Sequence, residues 1–264
     1  MRAPCGSSLT SVGVICAVGA LSKIWLSWMN KLEVHHMNIL IDCLRSGAPL
    51  ITVSNHHSCI DEPVLWGVLP WSFYFRRPPI VRWVMAAKEI VFTNPLYSAF
   101  FSFGRCVPIV RGMGVYQTGV DRCLDVLNNN GWVHIFPEGR VNFSRAPMRL
   151  KWGVGRLVNE ATRVPTVLPI WHSGMEKVLP ENACVPRILK KVLVYFGKPI
   201  DCSVFEKVRA SNSSRVTFRI LHGLAAMKHQ LFQESKRIKS TDIVHTELYN
   251  LQKFAENLYH SSAT

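Results

Sequence analysis

The sequence predicts an α/β fold: a mostly parallel sheet flanked by helices, preceded by a membrane-seated helix at the N-terminus. Three observations lead there. Apolar runs such as Leu50-Ile51-Thr52-Val53 and Trp132-Val133-His134-Ile135-Phe136 have strand length, with Gly, Pro and Asn at their ends. Periodic stretches of helix length stand between such runs, and that alternation builds parallel sheets. The stretch 3–22 carries no charge and is followed by Lys23, Trp25, Trp28 and Lys31.

Taken in order, the elements divide the chain into three parts. Residues 1–30 read as a membrane-associating segment. The apolar heart from Val12 to Leu21 has only about half the length that crossing a bilayer needs. The tryptophans and lysines after it suit an interface, and no small-residue cleavage site follows. A short membrane-seated helix that need not cross the bilayer fits these features, with a core helix as the plainer alternative. Residues 31–200 form the α/β domain. The periodicity predicts a helix over 34–44 and a buried strand over 50–53. Pro63, tolerated in the first helical turn, starts the next helix near Asp61, and Pro70 stops it at 69. A strand or turn over 81–87, a short helix over 95–103 and a strand over 106–110 follow. A helix over 115–127 is stopped by Asn128-Asn129-Asn130-Gly131. Then come a strand over 132–136, a helix over 150–161 and a strand over 166–170. The last strand, 192–196, is closed by Gly197-Lys198-Pro199. Residues 201–264 form a C-terminal helical extension packed on the domain, with helical stretches over 215–234 and 241–259.

Composition narrows the partners. Charged residues make up 18% of the 264, against a usual share of about 25%, yet the net charge is +14. A chain both apolar and basic suits an anionic membrane. Nucleic acid is disfavoured, because the aromatic residues cluster with aliphatics rather than interleaving with lysines. The eight cysteines form no CxxC pair and no cluster with histidine, so they read as thiols, with no metal site. A G-x-S-x-G elbow, a Walker A loop and a dinucleotide fingerprint are all absent, and no cofactor is indicated.

The chemistry concentrates in Asn55-His56-His57-Ser58-Cys59-Ile60-Asp61. An imidazole can take a proton from a hydroxyl while a carboxylate holds its other nitrogen. On a regular helix, five steps of about 100° would put His56 and Asp61 on different faces. With the helix starting at Asp61, residues 56–60 form a turn in which the pair can close. The plainer alternative is that Asp61 only caps the helix, since Ser58-x-x-Asp61 fits a capping box, and that the histidines are ordinary loop residues. Two further strand ends offer arginines suited to phosphate: Arg111 after the strand at 106–110, and Arg140 in Phe136-Pro137-Glu138-Gly139-Arg140. Aromatic residues at 66–75 and 96–103, the first running into Arg76 and Arg77, read as an interfacial belt.

The ordered blocks Asn55-His56-x-Ser58-x-x-Asp61, Gly104…Pro108-x-x-Arg111, Phe136-Pro137-Glu138-Gly139 and Val164-Pro165…Pro169 resemble the glycerolipid acyltransferases. Within them, the stretches from Gly114 and from Leu150 look like the tafazzin-type phospholipid–lysophospholipid transacylases. The likeness covers nearly the whole chain from about Val12. Two positions depart from that pattern: His57 follows the matching His56, and Arg140 stands where lysine is common. The resemblance implies a glycerolipid acyltransferase-like fold, with His56 as general base and Asp61 as its orienting partner. It also implies that Arg111, Glu138, Gly139 and Arg140 place phosphate and glycerol. The implied reaction is CoA-independent acyl transfer between phospholipids and lysophospholipids. Its substrates would be cardiolipin, monolysocardiolipin, phosphatidylcholine and phosphatidylethanolamine. The implied place is mitochondrial inner and outer membranes, facing the intermembrane space, with interfacial attachment rather than several spans. Acyl-CoA-dependent acylation of a lysophospholipid or lysophosphatidate is the alternative.

Overall fold

The computed structural model describes residues 9–75, 81–211 and 222–261. Helix α1 (Leu9–Trp28) leads into strand β1 (Lys31–His35), helix α2 (Met37–Arg45) and strand β2 (Leu50–Ser54). A broken helical segment follows: α3 (Asp61–Val64), a 3-10 turn (Leu65–Val68) and α4 (Trp71–Phe75). Next come β3 (Trp83–Ala87), α5 (Lys88–Val91), α6 (Pro95–Phe103), β4 (Cys106–Ile109), α7 (Thr118–Asn128) and β5 (Trp132–Ile135). The chain continues through α8 (Gly153–Glu160), β6 (Thr166–Ser173), α9 (Met175–Val178), β7 (Lys191–Phe196), α10 (Cys202–Ala210) and α11 (His222–Ser261).

The seven strands form one sheet in the order β1-β7-β6-β2-β5-β3-β4. β6, β2, β5, β3 and β4 are parallel, whereas β7 runs against β6 and β1 runs with β7. All five residues of β2 are buried, as a central strand covered on both faces requires. Alternation sorts them. Ile51 and Val53 join Val133, Ile135 and Val167 in a core capped by α7, α8 and α11. Leu50 joins Trp132, Leu168 and Val194 in a second core beneath α1, α2 and the 3-10 turn. The architecture is three-layered, with β2 at its centre.

Several expectations change. Residues 31–35 are a strand, and the helix expected over 34–44 starts at Met37. β1 is an edge strand that exists through its ladder with β7, from Lys31 opposite Lys191 to His35 opposite Tyr195. The helix expected over 61–69 is broken, because Glu62 precedes a proline and takes an extended conformation (φ −104°, ψ 121°). α7 begins three residues late, because the Gln117 side chain folds back onto the backbone of Val110 and Gly114. α8 is shorter than 150–161, and β6 runs on from 170 to Ser173. α10 was not anticipated; Asp201 caps it by accepting from the Ser203 N–H at 2.9 Å. The two C-terminal helices are one, since 235–240 stay helical within α11; residues 215–221 lie outside the described residues.

α1 turns Ser11, Ile15, Gly19, Ser22 and Leu26 inward. The contact is backbone-tight: a Cβ on Gly67 would lie 2.6 Å from the Ser22 carbonyl. Lys23 points inward as well, and its Nζ donates to Leu69 O at 2.9 Å and Gly67 O at 3.3 Å. The charge that interrupts the apolar run is thereby used on the protein side. The outer face, with Leu9, Leu21 and Trp28, is exposed. Within the expected aromatic belt, Trp66 and Phe73 are core residues instead, buried beneath α1. Leu96, Tyr97 and Phe100 are exposed, and Arg76 and Arg77 lie outside the described residues.

Candidate active site

β2 delivers the site. Beyond Ser54 the chain leaves the sheet, turns through residues 55–60 and re-enters helix at Asp61. The turn closes as its spacing predicts: His56 Nδ1 lies 2.9 Å from Asp61 Oδ2. The same oxygen accepts the backbone N–H groups of His57 at 2.7 Å and Ser58 at 2.9 Å. Asp61 therefore acts both as partner to His56 and as organiser of the turn, so the capping and dyad readings coexist. Burial pushes its carboxyl pKa up, but His172, His56 and the Ser58 N–H outweigh that and hold it below the usual aspartate value. An ionised Asp61 can only accept, so Nδ1 of His56 is the donor in this bond, and in the neutral ring the lone pair then lies on Nε2. Nε2 takes no hydrogen bond among the described residues, and the side chain is 18% exposed. A half-open imidazole with a free basic nitrogen, held from behind by a buried carboxylate, can remove a proton from an incoming hydroxyl.

β5 supplies the adjoining wall. Thr52 pairs with His134 and Val53 with Ile135, so Phe136 follows directly beside the His56 turn. The Phe136 ring stacks on His56 with centroids 4.2 Å apart. Glu138 is fully buried, and its Oε1 accepts the His56 N–H at 3.2 Å. Asn142 N–H donates to His56 O at 2.6 Å, so the β5 turn holds both sides of the His56 backbone. Burial raises the Glu138 pKa to about 7, more than its hydrogen bond with the His56 backbone lowers it. Gly139 has φ +73°, and a Cβ there would sit 2.9 Å from the Lys151 side chain. The glycine is needed for the turn itself.

The remaining sequence candidates sit further out. Arg140 is exposed beside the Glu138 turn. Arg111 follows β4, three strands from β2, and is 46% exposed with Glu89 3.4 Å away. Neither touches the dyad, although both leave the sheet at the same edge. Arg145 and Lys151, also exposed, make the segment after β5 strongly basic.

His172 and the role of Asn55 are not visible in the sequence. Asn55 is buried; it donates from Nδ2 to His172 O at 2.9 Å and accepts His172 N–H on Oδ1 at 3.0 Å. His172, at the end of β6, returns a contact from Nε2 to Asn55 O at 2.9 Å and lies 3.5 Å from Asp61 Oδ2. This clasp ties the ends of β2 and β6 behind the dyad. The available signal was an amide at the end of an apolar strand, where a buried side chain needs partners. His57 faces the opposite way from His56: burial lowers its pKa to about 3, so it stays neutral against Trp171. Among the described residues, no group of three or more His, Cys, Asp or Glu could hold a metal ion.

Comparison with known proteins adds to this geometry. The acyltransferase family profile matches residues 32–173, which include both members of the dyad and the β5 turn. Tafazzin from Drosophila melanogaster is 45% identical over 196 residues, covering 73% of this chain and 52% of that protein. The match thus spans about half the length of the fly protein. N-acylphosphatidylethanolamine synthase from Arabidopsis thaliana is 41% identical, covering 72% of this chain and 70% of that one. Among solved structures, the crystal structure of the 1-acyl-sn-glycerophosphate acyltransferase PlsC from Thermotoga maritima superposes with a TM-score of 0.51. It is 15% identical and covers 85% of this chain and 78% of that one. At that identity the likeness is one of fold.

Proposed function

We propose, from the premise that this chain belongs to the acyltransferase family and is tafazzin-like within it, that it moves fatty acyl groups between glycerophospholipids without CoA. The observation that carries the reading is the free Nε2 of His56 just beyond the end of β2, backed by buried Asp61 and with the Phe136 ring stacked on the imidazole.

The steps follow from that geometry. The free hydroxyl of a lysophospholipid approaches Nε2 and gives up its proton as its oxygen attacks the acyl ester of a second phospholipid. Asp61 stabilises the imidazolium that forms and keeps the ring from turning. The tetrahedral intermediate collapses by breaking the old ester bond. The departing lysophospholipid oxygen recovers the proton from Nε2. One ester replaces another of nearly equal energy, so no activated donor is required and the site works in both directions. Arg140 and Arg111 attract the headgroup phosphates. Glu138 acts through the His56 backbone, and Gly139 permits the turn.

The proposed substrates are monolysocardiolipin as acceptor and phosphatidylcholine or phosphatidylethanolamine as donor, in mitochondrial membranes facing the intermembrane space. Support for an anionic acceptor comes from the net charge of +14 and the basic segment after β5. Attachment through the outer face of α1 and the exposed start of α6 suits an enzyme whose two substrates are both lipids. The plant relative favours a second reading, in which the acceptor is the amine of phosphatidylethanolamine. One experiment separates these. Purified, reconstituted protein is given acyl-labelled phosphatidylcholine with monolysocardiolipin, or with phosphatidylethanolamine, and no CoA. Label in cardiolipin is the expected result, with reverse transfer from cardiolipin to lysophosphatidylcholine. Label in an amide of phosphatidylethanolamine alone selects the second reading. Transfer only after acyl-CoA is added overturns both.

A further inference from the structure

The strand order fixes the end of the sheet at which each loop emerges. β7 runs against β6 and β1 runs with β7. Trp28, just before β1, and the segment 180–190, just before β7, therefore lie at the same edge as His56. They are bound together: Leu189 N–H donates to Met29 O at 2.7 Å, and Lys190 N–H to Asn30 Oδ1 at 3.0 Å. Their apolar tips stand bare, with Trp28 79%, Val185 75% and Leu189 71% exposed. Leu189 also has φ +59°, a left-handed conformation that costs a leucine far more than a glycine or asparagine. A leucine both strained and bare to water is twice unfavourable in a purely structural loop, and such outliers concentrate at functional surfaces. Exposed Arg187 and Lys31 flank these tips.

We propose that segment 180–190 and Trp28 form a membrane foot, which inserts among the headgroups of an anionic bilayer and sets the catalytic edge of the sheet on the lipid. The foot continues the outer face of α1 around its C-terminal end. On the other side of β2, exposed Leu96 and Met113 emerge at the same edge, because β3 and β4 end there. His56 thus stands between two apolar supports, each two to three strand spacings away, about 10–14 Å. A bilayer touching both would lie across the open side of the imidazole, and lipid would reach Nε2 without leaving it. The foot rests on the acyl-transfer reading for its purpose, but its test is separate.

Cys184 is exposed within the foot, and Cys202 opens α10 at the opposite edge. The full chain is labelled with a water-soluble maleimide, and modification of each cysteine is followed by peptide mass spectrometry. Vesicles of phosphatidylcholine with phosphatidylglycerol should slow Cys184 by about tenfold or more and leave Cys202 nearly unchanged. Phosphatidylcholine alone should protect less, and equal protection removes the anionic preference. Leu189→Gly relieves the backbone while deleting the side chain. It should weaken vesicle binding by about tenfold with thermal stability kept or raised, a pairing that a structural role would not give. Val185→Asp with Leu189→Asp should weaken binding further. Transfer between detergent-dispersed lipids should stay near wild type in these variants, while transfer between vesicle lipids falls. A Cys184 equally reactive with and without vesicles, or a Leu189→Gly chain that binds as tightly as wild type, overturns the foot. If wild type transfers nothing even in detergent, the acyl-transfer reading fails instead, and the labelling pattern still judges the foot.

Discussion

The turns after β2 and after β4 leave the same edge of one sheet, and each carries residues that the sequence marks as chemical, yet they are built in opposite ways. After β2, Asp61 accepts three hydrogen bonds on one oxygen, and Glu138 and Asn142 hold the His56 backbone from both sides. After β4, Arg111 stands half in solvent with one long contact to Glu89. Proton transfer needs heavy atoms within about 3 Å in fixed orientation, and the pair proposed to perform it is buried behind and bonded many times over. Attraction of a phosphate acts over a Debye length of about 8–10 Å, and a flexible cation serves. Stability and chemistry are therefore coupled in the first turn and separable in the second.

Five substitutions press on that contrast. The largest effect belongs to His56→Ala, which should reduce acyl transfer by at least about a thousandfold. The ring is partly exposed, so circular dichroism and vesicle binding should be unchanged; residual transfer near wild type would discard the base assignment. Asp61→Asn should cost about a hundredfold or more, through loss of the tautomer, and should also alter acid stability. The Asp61 carboxyl is held below its ordinary value. Its contribution to stability is present above the unfolded pKa of 3.8 and is lost as pH falls through the lower native one. Urea titrations of the variant on the acid side should show a flatter dependence on pH than wild type. An unchanged slope would place the ionised carboxylate elsewhere.

Glu138 titrates with the opposite sign. Its native pKa is raised to about 7 from 4.5, so its contribution is fully present below 4.5 and is lost as pH rises through about 7. Above that, the buried carboxylate costs up to about 3 kcal/mol. Glu138→Gln keeps an acceptor for the His56 N–H and removes the charge. The variant should unfold at a higher temperature than wild type in alkaline buffer and at the same temperature in acid. A variant less stable at both would mean that the charge itself holds the turn. The smallest effects should come from Arg140→Ala and Arg111→Ala: about tenfold or less, in KM rather than kcat, and shrinking as salt rises. A large loss of kcat in Arg111→Ala would break the contrast, because an arginine three strands away would then be acting on the reacting atoms.

Legibility followed the range of the forces involved. Leu50-Ile51-Thr52-Val53 and Trp132-Val133-His134-Ile135 are strands by local pattern. Pro63 marks where the turn ends, and the five-residue spacing lets His56 and Asp61 meet across it, although the same proline extends Glu62 and breaks the helix expected beyond. β1 is not legible locally, and its last two residues fall within the helix expected over 34–44, because a five-residue edge strand is stabilised by its ladder to β7, some 160 residues away. Trp66 and Phe73 were read as a belt, because an aromatic residue has the same sequence pattern in a core and at an interface; the position of α1 over them makes the difference. By itself, then, the sequence determined the turn from Asn55 to Asp61, the two residues that pair across it and the α/β alternation that presents them, since each rests on neighbours within a few positions. Only the tertiary structure decided that Glu138 serves the His56 backbone, that Asn55 and His172 clasp behind the dyad, and that Trp28 meets segment 180–190. Those contacts join residues 82 to 160 positions apart, and such pairs come together only when the sheet sets strand order and direction.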